Sequence, residues 1–375
     1  MRIGLYLPSL EGGGIERLYL GLARQWIERG HLVELALNER RGELLGDVPH
    51  GVRIVDLGVR RQAASVPALI RYLRGSRPNV VMAGHDHNNI MLCAAGFART
   101  GRTRIVASQH NTLSANDTRG AKFGPVPLLY RALFGQADAI VAVSSGVADD
   151  LAVSCHLPRE RIDVIHNGIV PDDLAARMVA PVDPALYPTG VPTIVAMGRM
   201  VEQKDFATLL TAFARVRQLR PARLVILGDG PLRPALEAQA QDLGITGDVA
   251  MPGFVDTPFA HLARASLFVL SSRHEGFGNV VAEALACGTP VVSTDCKHGP
   301  AEILEGSRYG ILVPVADPAA MASAIGDALD RSWDREELRQ RGASFSEAAG
   351  AARYLELFRR IAQRGVSEQT RKEVA

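Results

Sequence analysis

The sequence predicts an α/β protein of two Rossmann-like domains facing each other across a cleft, and three observations carry that expectation. Short apolar runs alternate with stretches of helical period along most of the chain. A proline-rich interval near the middle has neither period, and after it the same alternation starts again. Alternation of this kind signals parallel strands joined by helical crossovers, with both faces of the sheet covered. At roughly 150 residues per domain, the 375 residues suffice for two.

The first apolar run, Ile3–Leu7, leads into Gly12-Gly13-Gly14, after which Ile15, Leu18, Leu22 and Trp26 recur every three or four residues until Gly30. That is strand, glycine loop, amphipathic helix. Leu32–Leu37 reads as the second strand, followed by Val80–Ala83, Ile105–Ser108, Ala139–Val143 and Asp163–Ile165. Asp138 reads as a strand cap and Asn167-Gly168 as a turn. Between Pro171 and Pro192 five prolines and three aspartates leave no helical or strand period of useful length, so this interval reads as a linker. Beyond it Thr193–Met197, Arg223–Leu227, Val249–Met251, Leu267–Leu270, Val291–Thr294 and Gly310–Val313 read as strands. Residues 1–180 and 190–345 are the expected domains. Residues 346–375 close the chain with an amphipathic helix presenting Tyr354, Leu357, Phe358 and Ile361 on one side, and with a frayed end from Gly365.

Composition narrows the class. The 42 Lys+Arg nearly cancel the 40 Asp+Glu, and 47% of residues are hydrophobic, which excludes extended disorder. The opening Met1–Pro8 is too short and too soon broken by proline for a signal segment, and no run reaches the ~18 apolar residues of a membrane span. Cys93, Cys155, Cys287 and Cys296 form no C-x-x-C pair and no zinc-like spacing with histidine. Reduced thiols and a cytoplasmic location are expected.

The triple glycine lacks G-x-G-x-x-G spacing and a clear acidic residue after the second strand, which disfavours a nicotinamide dinucleotide site. It leaves a tight turn, or room for an anion at a helix N-terminus. Gly198-Arg199-Met200 ends a strand and Lys204 follows five residues after Arg199, so two cations share a loop at the carboxyl edge of a sheet. A diphosphate suits a guanidinium fork and an ammonium point charge, although such a pair is also common as plain surface charge. In Ser271–Gly288, Glu275 lies in a loop and Glu283 within an otherwise apolar helix that starts near Asn279. A carboxylate buried on such a helix needs a partner, and a ribose diol is suitable; a helix-dipole role for Glu275 and a solvated Glu283 are the plainer alternatives.

Together with Gly12–Arg17, Gln109-His110-Asn111, Ala137–Ser144, His166–Ile169 and Gly288–Asp295, these stretches resemble glycosyltransferase family 4, retaining enzymes of GT-B fold that use nucleotide-activated sugars. The resemblance runs over nearly the whole chain. It implies that Arg199 and Lys204 hold the donor diphosphate beside Gly198, that Glu275 contacts the transferred sugar, and that Glu283 binds the ribose. It further implies backbone contacts from Phe277, Gly278 and Asn279, base stacking near Phe254, Gly13 and Gly14 against the diphosphate, and His110 beside the reacting sugar. No D-x-D pair occurs, so no metal and no separate cofactor are expected. The implied reaction moves a hexosyl or N-acetylhexosaminyl group, from UDP in preference to GDP, to a glycan or lipid-linked acceptor in cell-surface polysaccharide assembly. A sugar-nucleotide epimerase of the same fold and a catalytically silent sugar-nucleotide binder are the rival readings. Lys297 stands where the resemblance calls for proline.

Between Arg60 and Arg131 ten arginines and Lys122 face only Asp86 and Asp117, a local charge of +9. An anionic acceptor or membrane surface fits this stretch, with Phe123–Tyr130 dipping into the interface, and so does a dispersed basic surface over a core helix. Nucleic acid fits less well, because no aromatic residues interleave the cations.

Overall fold

The computed structural model describes residues 1–60, 64–98, 103–114 and 126–374, with 364–374 described through their backbone alone. Arg61, Arg99, Arg102, Asp117, Arg119 and Lys122, and residues 123–125 of the predicted interfacial stretch, lie outside the described residues. The chain divides into two compact units, Met1–Gly168 with Glu347–Ala375, and Ile169–Ser346.

In chain order the first unit contains β1 (Arg2–Leu7), α1 (Gly14–Glu28), β2 (Leu32–Leu37), β3 (Arg53–Asp56), α2 (Ser65–Ser76), β4 (Val80–Ala83) and α3 (Asp86–Gly96). It continues with β5 (Arg104–Gln109), α4 (Val126–Leu133), β6 (Ala139–Ala142), α5 (Ser145–Cys155) and β7 (Ile162–Val164). Among the described residues these strands form one parallel sheet in the order β3-β2-β1-β4-β5-β6-β7. Covered on both faces, its central strands have no reason to alternate polar with apolar: Val-Val-Met-Ala of β4 and Ala-Ile-Val-Ala of β6 are buried at every position. Leu18, Leu22 and Trp26 of α1 are buried, as their spacing predicts.

The second unit opens with α6 (Leu174–Met178), then β8 (Thr193–Met197), α7 (Phe206–Leu219), β9 (Arg223–Leu227), α8 (Arg233–Asp242), β10 (Val249–Gly253) and α9 (Pro258–Arg264). It ends with β11 (Leu267–Leu270), α10 (Asn279–Ala286), β12 (Val291–Thr294), α11 (Pro300–Ile303), β13 (Ile311–Val313), α12 (Pro318–Asp330) and α13 (Arg335–Ala343). Its sheet, also parallel, runs β10-β9-β8-β11-β12-β13.

Four features depart from the expectation. The edge strand β3 was not foreseen. The proline-rich interval is not a free linker: it contains α6 and belongs to the second unit, where Arg264 Nη1 donates to the Met178 carbonyl (3.2 Å) and Tyr187 Oη meets His261 Nδ1 (2.7 Å). Asn167-Gly168 makes no turn; the chain runs on to Ile169 and Val170, whose amides both donate to the Phe345 carbonyl (2.8 and 3.1 Å). The last helix, α14 (Glu347–Val374), continues past Gly365.

That last helix returns to the first unit. Trp26 Nε1 donates to the Ala351 carbonyl at 3.1 Å, and the indole packs against Phe358 and Tyr354 with ring centres 5.5 and 6.4 Å apart. Arg24 and Glu347 pair at 3.2 Å. Among the described residues no helix is long and apolar enough to cross a membrane. All four cysteines are buried free thiols. Phe358→Ala should weaken the unfolding transition of the first unit by about 3–5 kcal/mol in denaturant titration, through lost burial and the cavity left behind. Leu219→Ala, at a side chain left in solvent, should stay within about 0.5 kcal/mol of wild type.

Candidate active site

In the second sheet β8 and β11 are neighbours, yet the chain leaves β8 for β9 on one side and β11 for β12 on the other. No crossover covers the gap between their carboxyl ends, which is where open α/β sheets bind ligands. Gly198 follows β8 with φ +155°, and a Cβ there would lie 3.1 Å from Lys204 Cε; its bareness lets the lysine stem fold back over the strand end. Ser271 Oγ donates to the Lys204 carbonyl at 2.7 Å. Lys204 Nζ then donates to Glu275 Oε1 at 2.6 Å, and the same oxygen accepts from Ser272 Oγ at 2.6 Å.

Glu275 is buried and pinned through its backbone: its amide donates to the Lys297 carbonyl, and its own carbonyl accepts from the His298 amide, both at 2.8 Å. Arg199 is exposed on the Lys204 loop. Gly278, with φ +90°, precedes α10 and turns the chain into the helix. Asn279 and Glu283 stand four residues apart, on one face of α10, and both are half-buried. Phe277 is a core residue, edge-on to Phe345 at 5.4 Å, so only its backbone is suited to a ligand. Phe254, after β10, is 67% exposed.

The first unit has the same arrangement around β1 and β4. Gly13 is the N-cap of α1 and Gly14 its first residue; a Cβ on Gly13 would meet Glu16 Oε2 at 2.2 Å. His85 follows β4, and its Nε2 lies 3.0 Å from Glu16 Oε1. Burial pushes the Glu16 carboxyl upward, but the His85 hydrogen bond, the helix N–H and the histidine's charge outweigh it and leave the group more acidic than usual. His110, after β5, is buried, with Nε2 3.0 Å from Ser108 Oγ, whose oxygen is 3.2 Å from Tyr354 Oη. Burial first, and the nearby His85 second, depress its pKa to about 3.

The structure thus joins Lys204 to Glu275 and sets Gly198 beneath the lysine. Ser272, Glu16 and His85 are additions that the sequence reading gave no role. Chemically the second unit offers cations and a helix N-terminus to an anion, plus an oriented carboxylate to hydroxyls. The first unit offers an imidazole that stays neutral. Among the described residues no group of three His, Cys, Asp or Glu side chains is placed to hold a metal ion.

Comparison with known proteins bears directly on this geometry. Residues 12–173 match the family described as Glycosyltransferase Family 4, and residues 191–331 match Glycosyl transferases group 1. The lipopolysaccharide core biosynthesis glycosyltransferase LpsE of Rhizobium meliloti is 36% identical over 355 residues, covering 92% of this chain and 95% of that protein. The chain belongs to glycosyltransferase family 4. A second relative of this glycosyltransferase, 29% identical over 70% of the chain and 69% of its own length, is an N-acetylgalactosaminyltransferase of Campylobacter jejuni named for a diphospho-undecaprenol substrate. Among solved structures, Anabaena HepE in complex with UDP-glucose superposes with a TM-score of 0.73 at 19% identity, over 98% of this chain and all of that one. The likeness shows the two-domain GT-B fold.

Two outcomes test the site. Lys204→Ala should destabilise the second unit by about 3 kcal/mol in denaturant titration, because it strands a buried carboxylate, and adding Glu275→Gln should restore part of the loss. His110 stays neutral in the folded chain down to about pH 3, whereas the unfolded chain protonates it near 6.5. Stability should therefore fall as pH drops from about 6.5 to about 3, by up to ~1.4 kcal/mol per pH unit for this one proton, and His110→Gln should remove that contribution.

Proposed function

We propose that this glycosyltransferase is a retaining, metal-independent enzyme. It moves a hexosyl or N-acetylhexosaminyl group from a UDP-sugar to a glycan or lipid-linked acceptor in cell-surface polysaccharide assembly. The observation that carries the reading is the Lys204–Glu275 bond at the β8/β11 edge, with Arg199 on the same loop and α10 beginning beside it. Lys204 has three N–H groups and spends one on Glu275, leaving donors for a phosphate oxygen; Arg199 supplies a second cation. Together they neutralise the charge that builds on the departing diphosphate, the task a metal performs elsewhere. Glu275, oriented by Lys204 and Ser272, accepts hydrogen bonds from hydroxyls of the transferred sugar, and Glu283 from the ribose. Phe254 offers an exposed ring to the uracil.

In this mechanism the acceptor oxygen forms its bond to the anomeric carbon on the face from which UDP leaves. The bonding pair of the broken C–O bond departs with the diphosphate, and a phosphate oxygen takes the acceptor's proton. Glu275 orients the sugar and forms no covalent bond to it. Neutral His110 lends a hydrogen-bonding nitrogen without repelling positive charge that develops on the sugar ring.

The named activities of LpsE and of the Campylobacter jejuni enzyme support the acceptor class, and UDP-glucose in HepE supports the donor. Exposed Arg60, Arg71, Arg74, Arg77 and Arg131 suit an anionic acceptor or the inner membrane surface, which would make the enzyme a cytoplasmic protein with peripheral membrane contact.

Thermal unfolding with UDP-, GDP-, ADP- and dTDP-glucose tests the donor: UDP-glucose should raise Tm, with EDTA present, and Arg199→Ala should abolish the shift. A shift that EDTA removes would overturn metal independence. Glu275→Ala should cost about 100-fold in turnover. The anomeric coupling in the NMR spectrum of the product should report retention, and an inverted linkage would overturn the mechanism.

A further inference from the structure

The first unit holds an ionisable pair that donor chemistry leaves unused. Glu16 and His85 are 69 positions apart and meet because β1 and β4 are adjacent. Their exposure is unequal: the Glu16 side chain is 8% accessible and that of His85 32%, so the carboxylate backs the imidazole and the imidazole reaches solvent. One Glu16 oxygen lies over Gly13, and the other is given to a residue of a different element. His85 occupies the N-cap position of α3, yet its side chain makes no capping bond. Its ring is committed to Glu16 alone in this loop.

In the neutral ring the carboxylate at Nε2 holds the proton on that nitrogen, so that Nδ1 carries the lone pair. His110 differs on each count, being buried with its Nε2 beside Ser108. Another polar atom lies at this strand end: the wholly buried Tyr19 hydroxyl, which makes no hydrogen bond among the described residues, is 2.7 Å from where a Cβ of Gly84 would be.

We propose that His85, oriented by Glu16, receives the acceptor in this enzyme: Nδ1 accepts a hydrogen bond from an acceptor hydroxyl beside the one that attacks, and so aims the attacking oxygen, whose own proton goes to the phosphate. His85 touches the acceptor; Glu16 is a positioning residue that acts through it. The inference rests on transfer from a UDP-sugar to a glycan as proposed above.

Steady-state kinetics of the full chain test it, with UDP-glucose as donor and lipopolysaccharide core oligosaccharide as acceptor. His85→Gln, whose amide keeps the reach to Glu16 but loses the Nδ1 acceptor, should raise the acceptor KM about 30-fold, and Glu16→Gln about tenfold, with the donor KM within about twofold in both. In protein labelled with ¹⁵N-histidine, oligosaccharide added with UDP should move the Nδ1 resonance of His85 and leave those of His110 in place. A parallel rise in donor KM, unchanged acceptor KM in both variants, or an unmoved His85 resonance while transfer proceeds would each overturn the proposal. Should His85→Gln fail to fold, Glu16→Gln and the wild-type spectrum still decide. A wild-type protein that does not bind UDP-glucose, or binds it without transfer to the oligosaccharide, would instead overturn the functional reading beneath it.

Discussion

Two neighbouring parallel strands whose connections depart in opposite directions leave a gap at their carboxyl ends, and this constraint organises both units. A right-handed crossover covers the sheet face beside every other strand pair but cannot cover this one. In the second unit the gap between β8 and β11 receives Gly198 with Lys204 from one side and Ser272 with Glu275 from the other. In the first, the gap between β1 and β4 receives Gly13 with Glu16 and then His85. The same topology, used twice, gives two polar edges of different chemistry.

The difference lies in how charge is held. Lys204 and Glu275 neutralise each other inside a shell with little water, where an unmatched charge would be costly, and that mutual dependence fixes both loops. His110 has no such partner and responds to burial by giving up its proton. Glu16 is intermediate: burial acts against its charge and His85 restores it. A matched cation–carboxylate pair thus stands at one sheet edge, and a neutral imidazole with a hydrogen-bonded carboxylate at the other.

Most of this was legible in the sequence because strands buried on both faces are nearly continuous apolar runs, and runs such as Val80–Ala83 and Leu267–Leu270 end where the glycines and polar residues begin. β3 escaped notice because Arg53-Ile54-Val55-Asp56 is short, polar at both ends and incompletely buried at the sheet edge. α6, only five residues long, owes its place to contacts such as that of Arg264 with Met178, which no local pattern announces. Lys204 and Glu275 were found through family-like motifs, whereas Ser272 needed coordinates. The Glu16–His85 pair was beyond reach, since strand order alone brings its members together; a buried-position glutamate at the third residue of α1 was the single local sign.

The return of α14 to the first unit has a consequence for how the molecule is made. Residues 1–168 leave the ribosome first, but Trp26 waits for the Ala351 carbonyl, and Ser108, which holds His110, waits for Tyr354. The second unit, contiguous in sequence, is finished before its predecessor. Until the last helix emerges, Trp26 of α1 lacks the carbonyl and ring partners it has in the finished fold. Final packing of the first unit therefore follows synthesis of the second unit, and a ribosome that stops just short of Glu347 releases one completed unit attached to one that still lacks its closing helix.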